Sequence, residues 1–514
     1  MRVRRRRGQA AQHHRGAARG ARRRRIAQAW SFGPGARRGH RARARASYAG
    51  AEVHLGSVNR RAPACLLALL IQTSAACGSS SISVARTPTP PSASASPLGK
   101  VSDWLEYHGT AARTGQGPSS PAFSNPRQAW SVPVDAAVYA SPLIFNGRVI
   151  VATENNTLYS INLNSGTVFW KVHLGTPVNA STLPCGNIGP ITGITGTPVL
   201  DSKSGRIYVV AFLAGPVHKL FTLDAIDGSV LSQQVVDPPG SSAAVEQQRG
   251  GLSLGSGYVY VTFGGLFGDC GPYHGYVIGV PLAGGANVMY KTPAARESGI
   301  WSPMGATVSD SGTVYVTIGN GSETSSFAYS NSVLQLSPDL KLQAFFAPSN
   351  WASLDASDTD LGSVGVTLLP DTGRLISIGK EGVVYLLDAS RPGGIGGQIK
   401  AQHVCNGAWG GTAWQGSTVF IPCADALVAI SVTPDSFSVA WRFGQARLAS
   451  PIIAGGAVWA IDVTTSTLFA LSPSSGAVLY QLRLNGGQHF STPAATEGYV
   501  VVPAGNKIVA VAAA

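Results

Sequence analysis

From residue 127 onward the chain repeats itself, and that periodicity restricts its fold more than any other feature of its 514 residues. The clearest unit is SPLIFNGRVIVATENNTLYSINLNSGTVFWKV, residues 141–172. Apolar and polar residues alternate through four short runs, separated by turn signals at Asn146-Gly147, Asn155-Asn156 and Ser165-Gly166. Period-two alternation between such turns predicts four short antiparallel strands. The same order returns at 197–235, 250–291, 302–346, 362–390, 410–443 and 450–482, and an eighth copy, 491–511, stops after three strands.

A single unit of this kind cannot bury both faces alone, so neighbouring units must pack on one another. The strand missing from the eighth copy is expected from RQAWSVPV, 127–134, whose Trp130 sits where other units end in Phe-Trp, Ala-Trp or Leu-Tyr. Joining the two chain ends in one sheet removes an exposed edge, whereas an open stack of eight sheets would leave edges without polar caps. The predicted fold is therefore all-β: an eight-bladed β-propeller of four-stranded antiparallel blades, the last closed by an N-terminal strand. Composition agrees. Charged residues are only 12% and Met only three, while Gly reaches 62, a balance that suits strands and tight turns rather than helices.

The formal net charge of +14 invites a nucleic-acid reading, but residues 1–62 hold 18 Arg against one acidic residue. That stretch alone carries +17, and the rest of the chain is −3. The Arg-rich region is followed by VNRRAPACLLALLIQTSAAC, 58–77, which has a basic start, a short apolar run at about 65–71 and small residues before Cys77. This is the pattern of a secretory signal and is too short for a transmembrane helix. The expected order is a disordered leader (1–57), a signal peptide (58–76), a Ser/Thr/Pro-rich tether (77–100) and the propeller (101–514). A start near Val58 would leave the leader untranslated. Cys77-Gly78 has the look of a lipidation junction, although Ser74 stands where Leu is usual, and simple cleavage after Ala76 is the alternative. The expectation is an exported monomer, lipid-anchored at the outer face of the cytoplasmic membrane or secreted. An arm that precedes an export signal gives no case for nucleic acid.

Six Cys are present; Cys65 lies in the apolar run and Cys77 at the junction. The other four, Cys185, Cys270, Cys405 and Cys423, allow three pairings. Cys405 precedes the first strand of the sixth unit and Cys423 ends its second, which favours one disulfide, and the long loops holding Cys185 and Cys270 favour another. A Cys₄ metal site is the alternative, but CxxC spacing is absent.

The repeat core, G-x-[VIL]-Y-V followed by L-Y/F-A-L-D-x-x-x-G and a closing Trp, resembles the pyrroloquinoline quinone (PQQ)-like propeller repeat. It is carried by Gly205–Val209, Gly257–Val261 and Gly312–Val316, and by Leu158–Leu163, Leu220–Asp224, Val384–Asp388 and Leu468–Leu471. The resemblance spans about 127–511, and EQQRGGLSL, GDCGPYHGY, SDTDLGSVG and GKEGVVYLLD are similar to segments of actinobacterial-type exported lipoproteins related to BamB. Quinoprotein alcohol dehydrogenases share the repeat, so the resemblance implies two functions. In the dehydrogenases the quinone lies in the central funnel with Ca²⁺, beside an Asp base and an Arg or Lys near the quinone carbonyls. Carried over, Asp358 and Asp360 are candidates for base and metal ligand, Lys380 and Arg249 for quinone contacts, and Trp301 and Trp409 for stacking surfaces.

Each has a plainer reading. DASDTDLGS, 355–363, lacks the EF-hand spacing, so an Asx-turn ordering the loop is preferred to Ca²⁺. Lys380 serves equally as a solvated turn lysine, and Arg249 as the partner of a funnel carboxylate. The chain has no vicinal Cys pair and no CxxCH for haem. GLSLG, 251–255, matches a hydrolase nucleophile expression but falls in a strand rather than a strand-to-helix elbow. The preferred expectation is a cell-envelope binding or scaffold module that requires no cofactor. Its partner would be a protein, peptide or polymer, held by the long loops at 180–196, 264–275, 320–331 and 347–361. The alternative is a PQQ- and Ca²⁺-dependent alcohol or sugar dehydrogenase.

Overall fold

The computed structural model describes residues 101–444 and 446–513. The leader, the signal peptide, Cys77 and the tether lie outside the described residues.

Eight antiparallel sheets follow one another along the chain: blade 1 at 143–173, blade 2 at 199–235, blade 3 at 253–291, blade 4 at 307–347, blade 5 at 367–403, blade 6 at 413–444, blade 7 at 452–483 and blade 8 at 494–512. Arg127–Pro133 completes blade 8 by pairing antiparallel with Lys507–Ala512. The eight-bladed, N-terminally closed propeller is thus the observed fold. Two blades depart from four strands. Blade 3 gains Glu246–Gln247, paired with Gly264 and Gly265, and blade 4 gains the parallel strand Gly394–Ile395.

Burial follows radial order within a blade. The innermost strands are short, and five of the eight are wholly buried, as in Leu143–Phe145, Ile452–Ala454 and Ala494–Thr496. The outermost alternate between exposed and half-buried, as in Val478–Arg483. At the Asn146-Gly147 turn both residues have positive φ, 47° and 70°, which a two-residue hairpin of matching twist requires.

One device recurs between blades. An indole on an outermost strand lies against a glycine in the last turn of the next blade: Trp130 on Gly166, Trp170 on Gly228 and Trp441 on Gly476. Each of these glycines has φ between 70° and 75°, and a Cβ there would sit 2.6–3.0 Å from the ring. The Trp130 and Trp441 N–H groups donate to Leu163 O (2.7 Å) and Pro473 O (2.8 Å) of the next blade. Trp130 therefore closes the ring with the same contact that cements its interior.

The segment before the closing strand carries no repeat pattern, yet it seals one end of the central channel. Its backbone bonds to the inner strands of blade 1 (Trp104 N–H to Ile144 O, 2.8 Å), blade 2 (Leu200 N–H to Leu105 O, 2.9 Å), blade 4 (Val308 N–H to Ala111 O, 2.8 Å), blade 6 (Trp414 N–H to Thr114 O, 3.0 Å) and blade 7 (Ile453 N–H to Gly115 O, 2.7 Å). Edge groups that would otherwise face an open channel are thereby satisfied. Disulfides join Cys185 to Cys270 and Cys405 to Cys423, with Cα separations of 6.2 and 6.1 Å. The helix Trp351–Asp355 is five residues long, and among the described residues no helix is long and apolar enough to cross a membrane.

Candidate functional site

The funnel opposite the plug is built from one position of the repeat. Counting back four residues from each innermost strand gives Tyr139, Thr195, Arg249, Pro303, Ser363, Trp409, Leu448 and Phe490 in blades 1 to 8. Five of these, Tyr139, Thr195, Arg249, Pro303 and Phe490, line a cavity of about 10 Å³ at the channel axis, whose floor is Tyr107 of the plug. That is room for about one water molecule.

Arg249 is the charged member of this ring and is only 8% exposed. Its Nη2 donates to Gln247 Oε1 (3.0 Å) and Asn187 Oδ1 (3.5 Å), and its guanidinium carbon lies 5.3 Å from the Phe490 ring centroid. Among the described residues no carboxylate lies within salt-bridge distance of it, so the ion pair weighed for Arg249 does not form. Burial pulls its pKa below the usual arginine value, and Tyr139 and Glu154 oppose that pull. Glu154 itself is spoken for: its carboxylate accepts Gly193 N–H (2.7 Å) and the Thr195 hydroxyl (2.9 Å). Burial pushes the Glu154 pKa up to about 7 against these bonds.

Asp358, Asp360, Lys380 and Trp301 come together on the blade 4–5 side. Lys380 Nζ donates to Asp360 Oδ2 (2.5 Å) and Asp358 Oδ1 (2.8 Å), and lies 5.9 Å from the Trp301 ring centroid. Asp360 Oδ1 accepts Asn320 N–H (2.7 Å) and the Trp301 indole N–H (3.4 Å). Burial acts to raise the Asp360 pKa, but the Lys380 ammonium and these donors bring it below the usual carboxylate value. Lys380 is raised in turn: burial works against its charge, and Asp360 and Asp358 outweigh it. The reading of Lys380 as a solvated turn lysine is therefore corrected; its side chain is 22% exposed and bound to two carboxylates. Asp355 accepts Gly321 N–H, the Ser330 hydroxyl and the Asn331 amide at 2.6–2.8 Å, so it ties its loop to the 321–331 segment instead of forming the expected Asx-turn.

Other expected positions resolve plainly. Trp409 lies just ahead of blade 6, its ring over Gly407 and its backbone N–H donating to Pro422 O (3.3 Å). Ser253, of GLSLG, is buried in a strand, donating to Ala306 O (2.7 Å) and accepting from Arg113 (2.5 Å), so it is no nucleophile. Cys405 and Cys423 lie near Asp425 but are joined to each other, which leaves no thiolate for a metal.

In this arrangement the funnel does not fit a quinone with Ca²⁺. The axial cavity admits about one water, and Phe490 leans across the space between Arg249 and Trp301, its ring 6.4 Å from the indole. The two carboxylates that would hold a cation already hold the Lys380 ammonium.

Sequence reasoning missed Tyr139, Thr195, Phe490 and the plug residues Glu106, Tyr107, His108 and Arg113. The funnel residues share a repeat position, so aligning the units on their inner strands exposes them. The plug shows only as a run of titratable and aromatic residues, WLEYHGTAAR, just ahead of the repeats.

Residues 122–317 match the family described as outer membrane protein assembly factor BamB. No curated protein matches the chain. Among solved structures, it is similar to a quinohemoprotein alcohol dehydrogenase from Pseudomonas putida, with 13% identity over 80% of each chain and a TM-score of 0.66. A quinohemoprotein alcohol dehydrogenase from Comamonas testosteroni shares 15% identity over 80% of each chain, with a TM-score of 0.60. BamB from Moraxella catarrhalis shares 14% identity, covers 75% of this chain and 99% of its own, and gives a TM-score of 0.54. At these identities the likeness to solved structures is one of fold.

Proposed function

We propose that this eight-bladed propeller, whose residues 122–317 match the BamB family, is an exported envelope protein, lipid-anchored through Cys77, that works as a binding scaffold. Its funnel anchors a carboxylate presented by a protein, peptide or polymer partner. The observation that carries this reading is Arg249, a guanidinium buried among amide oxygens and a phenyl ring, with no carboxylate within salt-bridge distance among the described residues. A buried charge without a counter-charge is costly to hold, and a ligand that supplies one recovers that cost on binding. The experiment is crosslinking in the native envelope, comparing partners captured by the wild type and by Arg249→Gln. Loss of a specific partner in the variant is expected; an identical set of partners overturns the reading. Mass spectrometry of the mature N-terminus tests the anchor, with a diacylated Cys77 expected and peptides from 1–57 counting against the proposed start.

The dehydrogenase reading is favoured by one observation, the gathering of Asp358, Asp360, Lys380 and Trp301. It requires Phe490 to leave the axis and Lys380 to release Asp360. Titration of the purified protein with PQQ and Ca²⁺, read by quinone absorbance and dye-linked alcohol oxidation, separates the two. Stoichiometric quinone binding supports the enzyme, and silence in both assays retires it.

A further inference from the structure

A second cavity lies beside Arg249. It has about 160 Å³ and sits between the long loops of blades 2 and 3, which the Cys185–Cys270 disulfide staples together. Ala180, Leu183, Ile188 and Leu266 give it an apolar wall, and Phe267, 48% exposed, stands next to Leu266. The remaining wall includes Asn187 and Gln247, the two residues whose amide oxygens receive the Arg249 guanidinium. An apolar pocket and a cation with no carboxylate within salt-bridge distance among the described residues thus stand on either side of one pair of amides. A cavity of about 150 Å³ takes a group the size of a benzene ring, so this one suits a single aliphatic or aromatic side chain rather than a drug-sized ligand.

We propose that the pocket and Arg249 together capture the C-terminus of an extended polypeptide. The side chain of its last residue enters the pocket and its α-carboxylate rests on Arg249. A terminal residue carries an apolar side chain and a carboxylate on the same carbon, so it meets both halves of the site at once. An internal Asp or Glu supplies the charge only and leaves the pocket to another residue. The rigid frame favours such a small epitope, because the stapled loops need little ordering when it binds. This inference rests on the binding reading of Arg249 and names the chemistry of its partner.

Calorimetric titration of the full-length protein with four peptides tests it: acetyl-Gly-Ser-Ala-Leu as free acid, the same peptide amidated, the free acid ending in Gly, and amidated acetyl-Gly-Asp-Ala-Leu. The free acid ending in Leu is expected to bind about tenfold or more tighter than each of the others. Ala180→Phe, which fills the pocket, should erase the preference for Leu over Gly, and Arg249→Gln the preference for acid over amide. The wild-type peptide series stands by itself if Ala180→Phe fails to fold. Equal binding of the acid and the amide, of the Leu and Gly ends, or of the internal Asp peptide overturns C-terminal capture, as does no binding by the Leu free acid. If Arg249→Gln loses its envelope partner while the peptides fail these criteria, the binding reading stands and only this inference falls.

Discussion

Two buried arginines stand at the two ends of one channel, and they are held in opposite ways. In the plug, Arg113 is fully buried and donates to Ala306 O, Tyr107 O, Gly251 O, Leu252 O and Ser253 Oγ, all within 3.2 Å, and it pairs with Glu106 at 3.3 Å. In the funnel, Arg249 has two amide oxygens, at 3.0 and 3.5 Å, and no carboxylate within salt-bridge distance among the described residues. The fold completes the first site by itself and leaves the second incomplete. A buried charge surrounded on all sides belongs to the architecture, and one left half-surrounded beside a cavity is where the proposed ligand would supply the missing counter-charge.

The contrast is sharpest in stability. Arg113→Met strands the Glu106 carboxyl and five acceptors in the channel floor and should cost about 3–5 kcal/mol in denaturant unfolding. A loss near zero would erase the distinction between the two ends. Lys380→Met, on the funnel side, leaves Asp360 with only its N–H donors and should cost about 1–3 kcal/mol by the same measurement. Arg249→Met removes a charge the fold does not neutralise, so stability should change by no more than about 1 kcal/mol while capture of the partner is lost. A large destabilisation would make Arg249 a second Arg113.

The carboxyls beside these arginines titrate in a predictable direction. Glu106 and Glu154 are each pushed up to about 7 by burial, so between pH 4.5 and 7 the folded state holds protons that the unfolded state has released. Their contribution is therefore full at the acidic end, falls as pH rises through this window and is flat above it. In Glu154→Gln the unfolding midpoint should lose part of that slope between pH 5 and 7.5. An unchanged slope would mean that Glu154 is ionised throughout.

The blades were legible in the sequence because a strand writes its burial into alternate residues and its ends into turn residues. Trp130 could be assigned to the last blade because its aromatic matched the endings of the other units. The plug was illegible for the converse reason. Its backbone bonds run to strands up to about 340 residues away, and no local period records them, as with Gly115 and Ile453. Lys380 stood at the boundary: its residue type allowed either a solvent-facing or a paired side chain, and only the 2.5 Å contact with Asp360 decided between them. Phe490 and Tyr139 were ordinary aromatics until the repeat register placed both at the fourth position before an inner strand.

The meeting of an early and a late strand in blade 8 also bears on how the ring is made. Synthesis delivers Arg127–Pro133 ahead of every other blade strand, and its partner, Lys507–Ala512, emerges only after the other seven blades. Until then the ring is a gapped arc, and the funnel lacks Phe490, which comes only 22 residues before that segment's end. A chain that stops before Lys507 therefore cannot close the ring, and one that stops before Phe490 also lacks part of the funnel wall. The joint thus withholds ring closure until the strands of all eight blades have been made.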